Sequence, residues 1–307
     1  MNDSPLLDWL LHGDPAIRWQ VMRDLQDTPP EQVHAEREKV AQEGWGAQIL
    51  ARQNPDGRWA KGLYSPKWTS TTYTLLLLRS LGLPPGHPAA LRGLDHLLEA
   101  ANPAYPGMCI WRSIKHSDIC VDAMILSMLV YFQHPTPQVE KLQEHLLNHQ
   151  IADFGWNCED HRGISHSSFH TTISVLEAFL ECQANGRALP GLEQAAAAGR
   201  EFLLEHHLFR SHRTGEVFDE RMLRFSFPAR WYYDVLRALD HFQAVNAPYD
   251  LRMQDALDLL NKKRLSNGRW KLENRHPGLV FFELEAIGEP SRWNTLRALR
   301  VLQAYPR

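Results

Sequence analysis

The feature that most constrains this chain is self-similarity. Six apolar stretches with helical spacing recur along it, at residues 16–25, 69–82, 117–132, 167–181, 229–242 and 291–305. Their period of about 50 to 60 residues lies in the range of repeat architectures. Each opens on a polar or small residue, and several are apolar on nearly all sides, as helices buried between two layers are. More charged, amphipathic stretches lie between them, at 31–53, 89–100, 137–150, 192–207 and 251–264. The alternation reads as an array of αα-hairpins, with no convincing strand run. An open array would expose apolar faces at its ends unless polar caps covered them, and about six hairpins avoid this by closing into a ring. The expected fold is therefore all-α, an (α/α)6 toroid in one domain over residues 1–307.

The linkers repeat as well. PDGRW (55–59), YPGMCIW (105–111), FGWN (154–157), RTGEVF (213–218) and SNGRW (266–270) each carry glycine and an apolar or aromatic residue. Glycine supplies the positive φ that such turns need, and the tryptophans read first as packing residues. These turns lead into the buried helices and are expected to form one rim of the ring. Aligning the buried helices on their apolar registers places Thr72, Cys120, His170 and Arg230 at equivalent positions near that rim.

Composition excludes several classes. Of the 307 residues, 44% are apolar and 22% charged, which argues against disorder. A formal net charge of -3 points to neither a nucleic-acid binder nor a polybasic membrane anchor. The opening MNDSPLLDWLLHGDP is acidic and does not read as a signal peptide, and the apolar block 75–78 is far too short to span a bilayer. The cysteines at 109, 120, 158 and 182 form no CxxC pair. They are expected to be free or metal-bound in a reducing cytoplasm.

Residues 107–172 carry the most specific pattern. GMCIWRSIKHSDIC (107–120) contains Arg112, Lys115, Asp118 and Cys120 in the spacing Arg-x-x-Lys-x-x-Asp-x-Cys. GWNCEDHRGISHSSFHTT (155–172) follows one repeat later and ends in Phe169-His170-Thr171. Together with the repeats, these strings resemble the α/α-toroid superfamily of terpenoid cyclases and protein prenyltransferase β subunits. The resemblance implies an enzyme in which Asp118, Cys120 and His170 ligate a catalytic zinc. It places Arg112, Lys115 and Asp160 near an isoprenoid diphosphate and implies a separate helical partner subunit. Lys67 stands near the position of a further diphosphate contact. The chain has neither the Asp-x-Asp-Asp acid of class II cyclases nor the Asp-Asp-x-x-Asp of class I enzymes.

The donor types agree with that chemistry. Thiolate, imidazole and carboxylate suit zinc, and three protein ligands leave an open position for substrate or water. Cys158 is a rival ligand that would replace Asp118 in a Cys-Cys-His set, and His116, His161 and His166 crowd the same rim. Trp231 and Tyr232 offer aromatic faces to an isoprenoid tail. The basic group Arg210, His212, Arg213, Arg221 and Arg224 reads as a solvated loop or a lid, and Glu283 and Glu285 are spare carboxylates. The expected function is a zinc-dependent transferase acting on an isoprenoid diphosphate or a similar apolar-anionic molecule. The alternative is a non-catalytic toroid that binds a peptide, glycan or lipid around a structural metal. A lanthionine-type cyclase ranks lower, because the adjacent Cys-His pair of that family is absent.

Overall fold

The structure is a computed structural model that describes residues 4–105, 107–110 and 116–306. Its helices, in chain order, are α1 (Ser4–Leu11), α2 (Pro15–Asp24), α3 (Pro30–Glu38), α4 (Gly44–Leu50), α5 (Thr71–Leu81), α6 (Pro88–Ala100) and α7 (Ile119–Tyr131). They continue as α8 (Gln138–Asn148), α9 (Phe169–Ala184), α10 (Leu192–Glu205), α11 (Val235–Ala244), α12 (Gln254–Lys262) and α13 (Arg292–Ala304). Strand structure among the described residues is confined to Trp270–Lys271 against Pro290–Ser291, with two isolated bridges.

The helices form two concentric layers. The inner helices α2, α5, α7, α9, α11 and α13 pack side by side, and α13 returns to α2. The indole of Trp19 on α2 donates to Leu81 O at the end of α5, at 2.9 Å, which joins that pair of inner helices. The two ends of the chain close the ring. Arg300 on α13 hydrogen-bonds Gln20 on α2 at 2.7 Å, and Arg292 Nε donates to Trp9 O on α1 at 2.9 Å. The fold is thus an all-α toroid. Its sixth outer helix is α1, which the sequence patterns do not mark because its apolar run is short.

One interaction repeats around the ring. Trp59, Trp156 and Trp270 are all fully buried at the end of a glycine turn. Each indole N–H donates to a carbonyl of the preceding outer helix: Ile49 O at 2.9 Å, Leu146 O at 2.8 Å and Leu260 O at 2.8 Å. Each backbone N–H donates to a threonine hydroxyl in the first turn of the next inner helix: Thr71 at 3.1 Å, Thr172 at 3.0 Å and Thr295 at 3.0 Å. One residue therefore ties outer helix, turn and inner helix together, while satisfying polar groups that burial would otherwise leave unpaired. In the repeat that ends in α7, a carboxylate takes the threonine role. Asp122, fully buried, accepts from Met108 N–H at 2.6 Å and from the Ser117 hydroxyl at 2.7 Å. Space is tight at these staples: a Cβ on Gly199 of α10 would come within 2.7 Å of the Trp156 ring.

The staple fixes the true repeat register. Thr71, Asp122 and Thr172 are equivalent by role, so Cys120 and His170 correspond to Thr69. Thr72 and Arg230 lie out of that register, because apolar spacing alone does not resolve a shift of a few residues on helices that are apolar all round. Two further differences from expectation have local causes. The stretch 31–53 is two helices rather than one, broken where Gly44 takes φ +68° and the Asp14 carboxylate accepts the Trp45 N–H at 2.7 Å. The fifth inner helix starts at Val235 rather than near 229, because Asp234 caps it by accepting the Arg237 N–H at 2.8 Å.

Thr172→Val keeps the side-chain shape and leaves the buried Trp156 N–H without an acceptor. It is expected to lower the unfolding free energy by about 1–3 kcal/mol in urea titrations. A cost near zero would remove the staple from the account.

Candidate functional site

The N-terminal ends of α5, α7 and α9 and the loop before α11 converge on one rim, and most of the expected site residues lie there. Arg112 and Lys115 fall outside the described residues. Asp118 is the N-cap residue of α7, and Cys120 is the second residue of that helix. Cys158 comes from the neighbouring turn. Its Sγ accepts the Cys120 backbone N–H at 3.2 Å and the Thr171 hydroxyl at 3.3 Å. The amides of a helix's first turn have no partner within the helix, so Cys158 occupies an anion-favouring position at the start of α7.

The two thiols also bond each other. The hydrogen bond from Cys120 draws the Cys158 thiol below its ordinary range, against the opposing effect of burial. The same bond, with burial, holds Cys120 well above that range. The pair therefore loses its first proton from Cys158, and Cys120 keeps the second. Asp118 stands beside them, its carboxyl raised by burial against the opposing charges of His116, His161 and Lys67. Among the described residues no disulfide is formed.

Next to the thiols lies a pocket of about 110 Å³, lined by His116, His145, His149, His161, Cys158 and Asp160. His145 Nε2 faces the buried Asp122 carboxylate at 3.2 Å. His149 Nδ1 donates to His145 O at 2.7 Å, and its Nε2 lies 3.8 Å from the Asp160 carboxylate. His116 and His161 stack face to face at 3.6 Å. His145 on α8 and His149, the residue that ends that helix, are four apart, a spacing that is visible in the sequence.

His170 lies elsewhere. Its Nδ1 accepts the Tyr233 backbone N–H at 2.8 Å, and its ring meets Trp231 and Tyr232 edge-on at 5.2 and 5.8 Å. Burial, then the charge of Arg237, pulls its pKa down to about 4, so the ring is neutral near pH 7. With the Nδ1 lone pair engaged, the proton sits on Nε2. An Nε2 metal ligand needs the opposite tautomer, with Nδ1–H aimed at an acceptor. The set Asp118, Cys120 and His170 is thus not assembled as the resemblance implies. Among the described residues no three His, Cys, Asp or Glu side chains are arranged to hold a metal ion. The donors already in contact are Cys120 and Cys158.

An aromatic wall completes the rim. Trp231 stacks on Tyr232 at 3.8 Å, and Tyr232 on His276 at 3.8 Å. Lys67 sits 5.5, 5.6 and 5.3 Å from the rings of Tyr64, Trp68 and Trp231. The space beside Trp68, Phe227 and His276 is small, about 30 Å³. Two other candidates take structural roles. Glu285 accepts the Arg292 N–H at 2.7 Å and caps α13, and Glu283 pairs with Arg275. In the basic loop, Arg210 pairs with Asp255 at 2.7 Å and Arg221 with Asp219 at 2.6 Å.

A ring of helical hairpins with a thiol pair on one rim defines an α/α-toroid protein. A protein from Actinoplanes superposes with a TM-score of 0.48 at 15% identity, over 95% of this chain and 90% of that one. The type II terpene cyclase MstE from Scytonema superposes at 0.47 and 14% identity, over 94% of this chain and 88% of that one. The same cyclase in complex with merosterolic acid A gives 0.45 at 14% identity, over 95% and 87%. No protein-family model and no curated protein matches the sequence. Among the described residues, no helix is long and apolar enough to cross a membrane.

His170 and His276, both partly buried, have a pKa pulled down to about 4 from an ordinary 6.5. Well above pH 6.5 both are neutral in folded and unfolded chains and add no pH dependence. As pH falls from 6.5 towards 4, the unfolded chain takes up protons that the folded chain refuses, so stability falls across that window. Urea titrations at a series of pH values should show this fall. His170→Asn, whose Oδ1 can still accept the Tyr233 N–H, should show a shallower one. Identical slopes would contradict the neutral buried assignment.

Proposed function

We propose that the chain is a prenyltransferase- and terpenoid-cyclase-like toroid enzyme whose reactive centre is a soft-metal site built on Cys120 and Cys158. Its substrate is an isoprenoid diphosphate or a similar apolar-anionic molecule. The observation that carries the reading is the thiol pair, with Cys158 held as the more acidic member at the start of α7. Two thiolates with imidazoles beside them suit zinc. In this reading Cys120 and Cys158 hold the ion, and His161 or His116 turns in from the adjoining pocket as the third ligand. Bound zinc would supply a Lewis acid or a holder for a substrate thiolate. Trp231 and Tyr232 present aromatic faces, Arg112 and Lys115 keep the diphosphate role that the resemblance implies, and Asp160 stands with Cys158 in the pocket wall. The class II protonation chemistry is not part of the reading, since its Asp-x-Asp-Asp acid is missing from the sequence.

The narrow space at the rim favours a second reading. Beside Trp68 and Phe227 about 30 Å³ is open, which is little room for a long hydrocarbon. A non-catalytic toroid with a closed structural metal fits that geometry. Cobalt substitution separates the two, because an open position responds spectrally to added ligands and a closed four-ligand site does not.

Metal analysis of protein purified without chelators should find about one zinc per chain. Cys158→Ser should abolish it, while His170→Ala should retain it. Folded, metal-free wild-type protein would overturn the metal centre, and zinc lost in His170→Ala would restore the trio implied by the resemblance. Farnesyl diphosphate should raise the melting temperature. No shift would remove the substrate assignment.

A further inference from the structure

The ring encloses a second cavity, whose lining does not include the thiols. It measures about 300 Å³ and runs from the loop before α11, with Phe227 and Arg230, into the ring, where Arg79, Glu181, His241 and Arg297 line it. That volume equals on the order of ten water molecules. Its wall is mixed, with aromatic surface from Trp19, Tyr73 and Trp293 among charged side chains.

Charge on that wall is unbalanced. Six arginines line the cavity with three carboxylates, Glu177, Glu181 and Asp240. Most of the arginines are paired. Arg79 meets Glu181 at 2.8 Å, Arg237 meets Glu177 at 2.7 Å, and Arg297 meets Asp240 at 2.9 Å. Arg23 and Arg300 both pair with Asp24. Arg230 stands apart. It is only 8% exposed, its Nη1 has no hydrogen-bond partner among the described residues, and its guanidinium lies 5.4 Å from the Trp68 ring. Its backbone is held at φ +58°, a conformation L-residues rarely adopt. Burial pulls its pKa down only to about 10, so it remains charged near neutrality.

His241 is the second unsatisfied group. It is 4% exposed, and neither ring nitrogen has a partner among the described residues. It lies six residues beyond the start of α11, roughly 9 Å along the helix at 1.5 Å per residue. Neutral imidazole offers one donor and one acceptor, which is what a hydroxyl group matches. A buried guanidinium without an acceptor and a buried imidazole without any partner are costly in an apo protein. Both line the same cavity.

We propose that this cavity binds a small hydroxylated oxyanion, its carboxylate or phosphate on Arg230 and a hydroxyl on His241. The proposal is independent of the chemistry at the thiol rim. An aliphatic hydrocarbon does not fit a wall with this many charges, so the ligand is a compact polar anion.

Calorimetric titration with glycerate, glycerol phosphate and inorganic phosphate tests it, with melting temperature as a parallel readout. At least one of the three should bind at a single site and raise the melting temperature. The glycerate and glycerol phosphate arms distinguish carboxylate from phosphate. Arg230→Met should weaken binding more than tenfold and Arg230→Lys less. His241→Leu should weaken the hydroxylated probes and leave inorganic phosphate unchanged. Because the buried Nη1 has no acceptor among the described residues, Arg230→Met should also raise the melting temperature of the ligand-free protein. The proposal is overturned if none of the probes binds at millimolar concentration. It is equally overturned if Arg230→Met binds as the wild type does, or if that variant is less stable or unfolded without ligand.

Discussion

Everything at the rim depends on the tryptophan staple. A toroid of hairpins needs each outer helix held at a fixed height against the next inner one, and apolar packing alone sets that height loosely on helices that are apolar all round. Trp59, Trp156 and Trp270 remove the freedom by bonding an outer-helix carbonyl through the indole and an inner-helix threonine through the backbone. Because the same bonds recur, the inner helices begin at a common level. A residue two before the staple acceptor then reaches the rim on each helix, which is how Cys120 and His170 come to be equivalent although they share no chemistry.

The rim joins this mechanical constraint to an electrostatic one. The first-turn amides of α7 are unpaired within the helix, and one of them is spent on Cys158. A thiol in that position, bonded also by Thr171 and Cys120, becomes the acidic member of the pair. His170, one repeat away, points into the aromatic wall, where Tyr233 N–H takes its lone pair. The ring thus carries soft donors at the rim and guanidinium and carboxylate groups along its interior cavity.

The helix positions, the layer alternation and the rim were legible in the sequence, because a 3.6-residue period with glycine turns carries that information locally. The sixth outer helix was not, since its apolar run is short, although Leu6 and Leu10 are buried. At the site, the importance of residues 107–172 was legible, but the pairing within it was not. Cys120 and Cys158 are brought together by the turn geometry, and the engagement of His170 depends on a backbone N–H sixty-three residues later. His145 and Asp122 form a contact between an outer and an inner helix that spacing along one helix does not report. Arg230 was visible as a basic residue, yet its lack of a partner depends on where every neighbouring carboxylate is spent.

The most direct measurement is oxidative trapping of the metal-stripped native protein with diamide, followed by peptide mapping. The account predicts one disulfide, between Cys120 and Cys158, formed rapidly and in high yield, with Cys109 and Cys182 remaining reduced. Free thiols at 120 and 158 after oxidation, or pairing of either with Cys109 or Cys182, would contradict the arrangement of the rim.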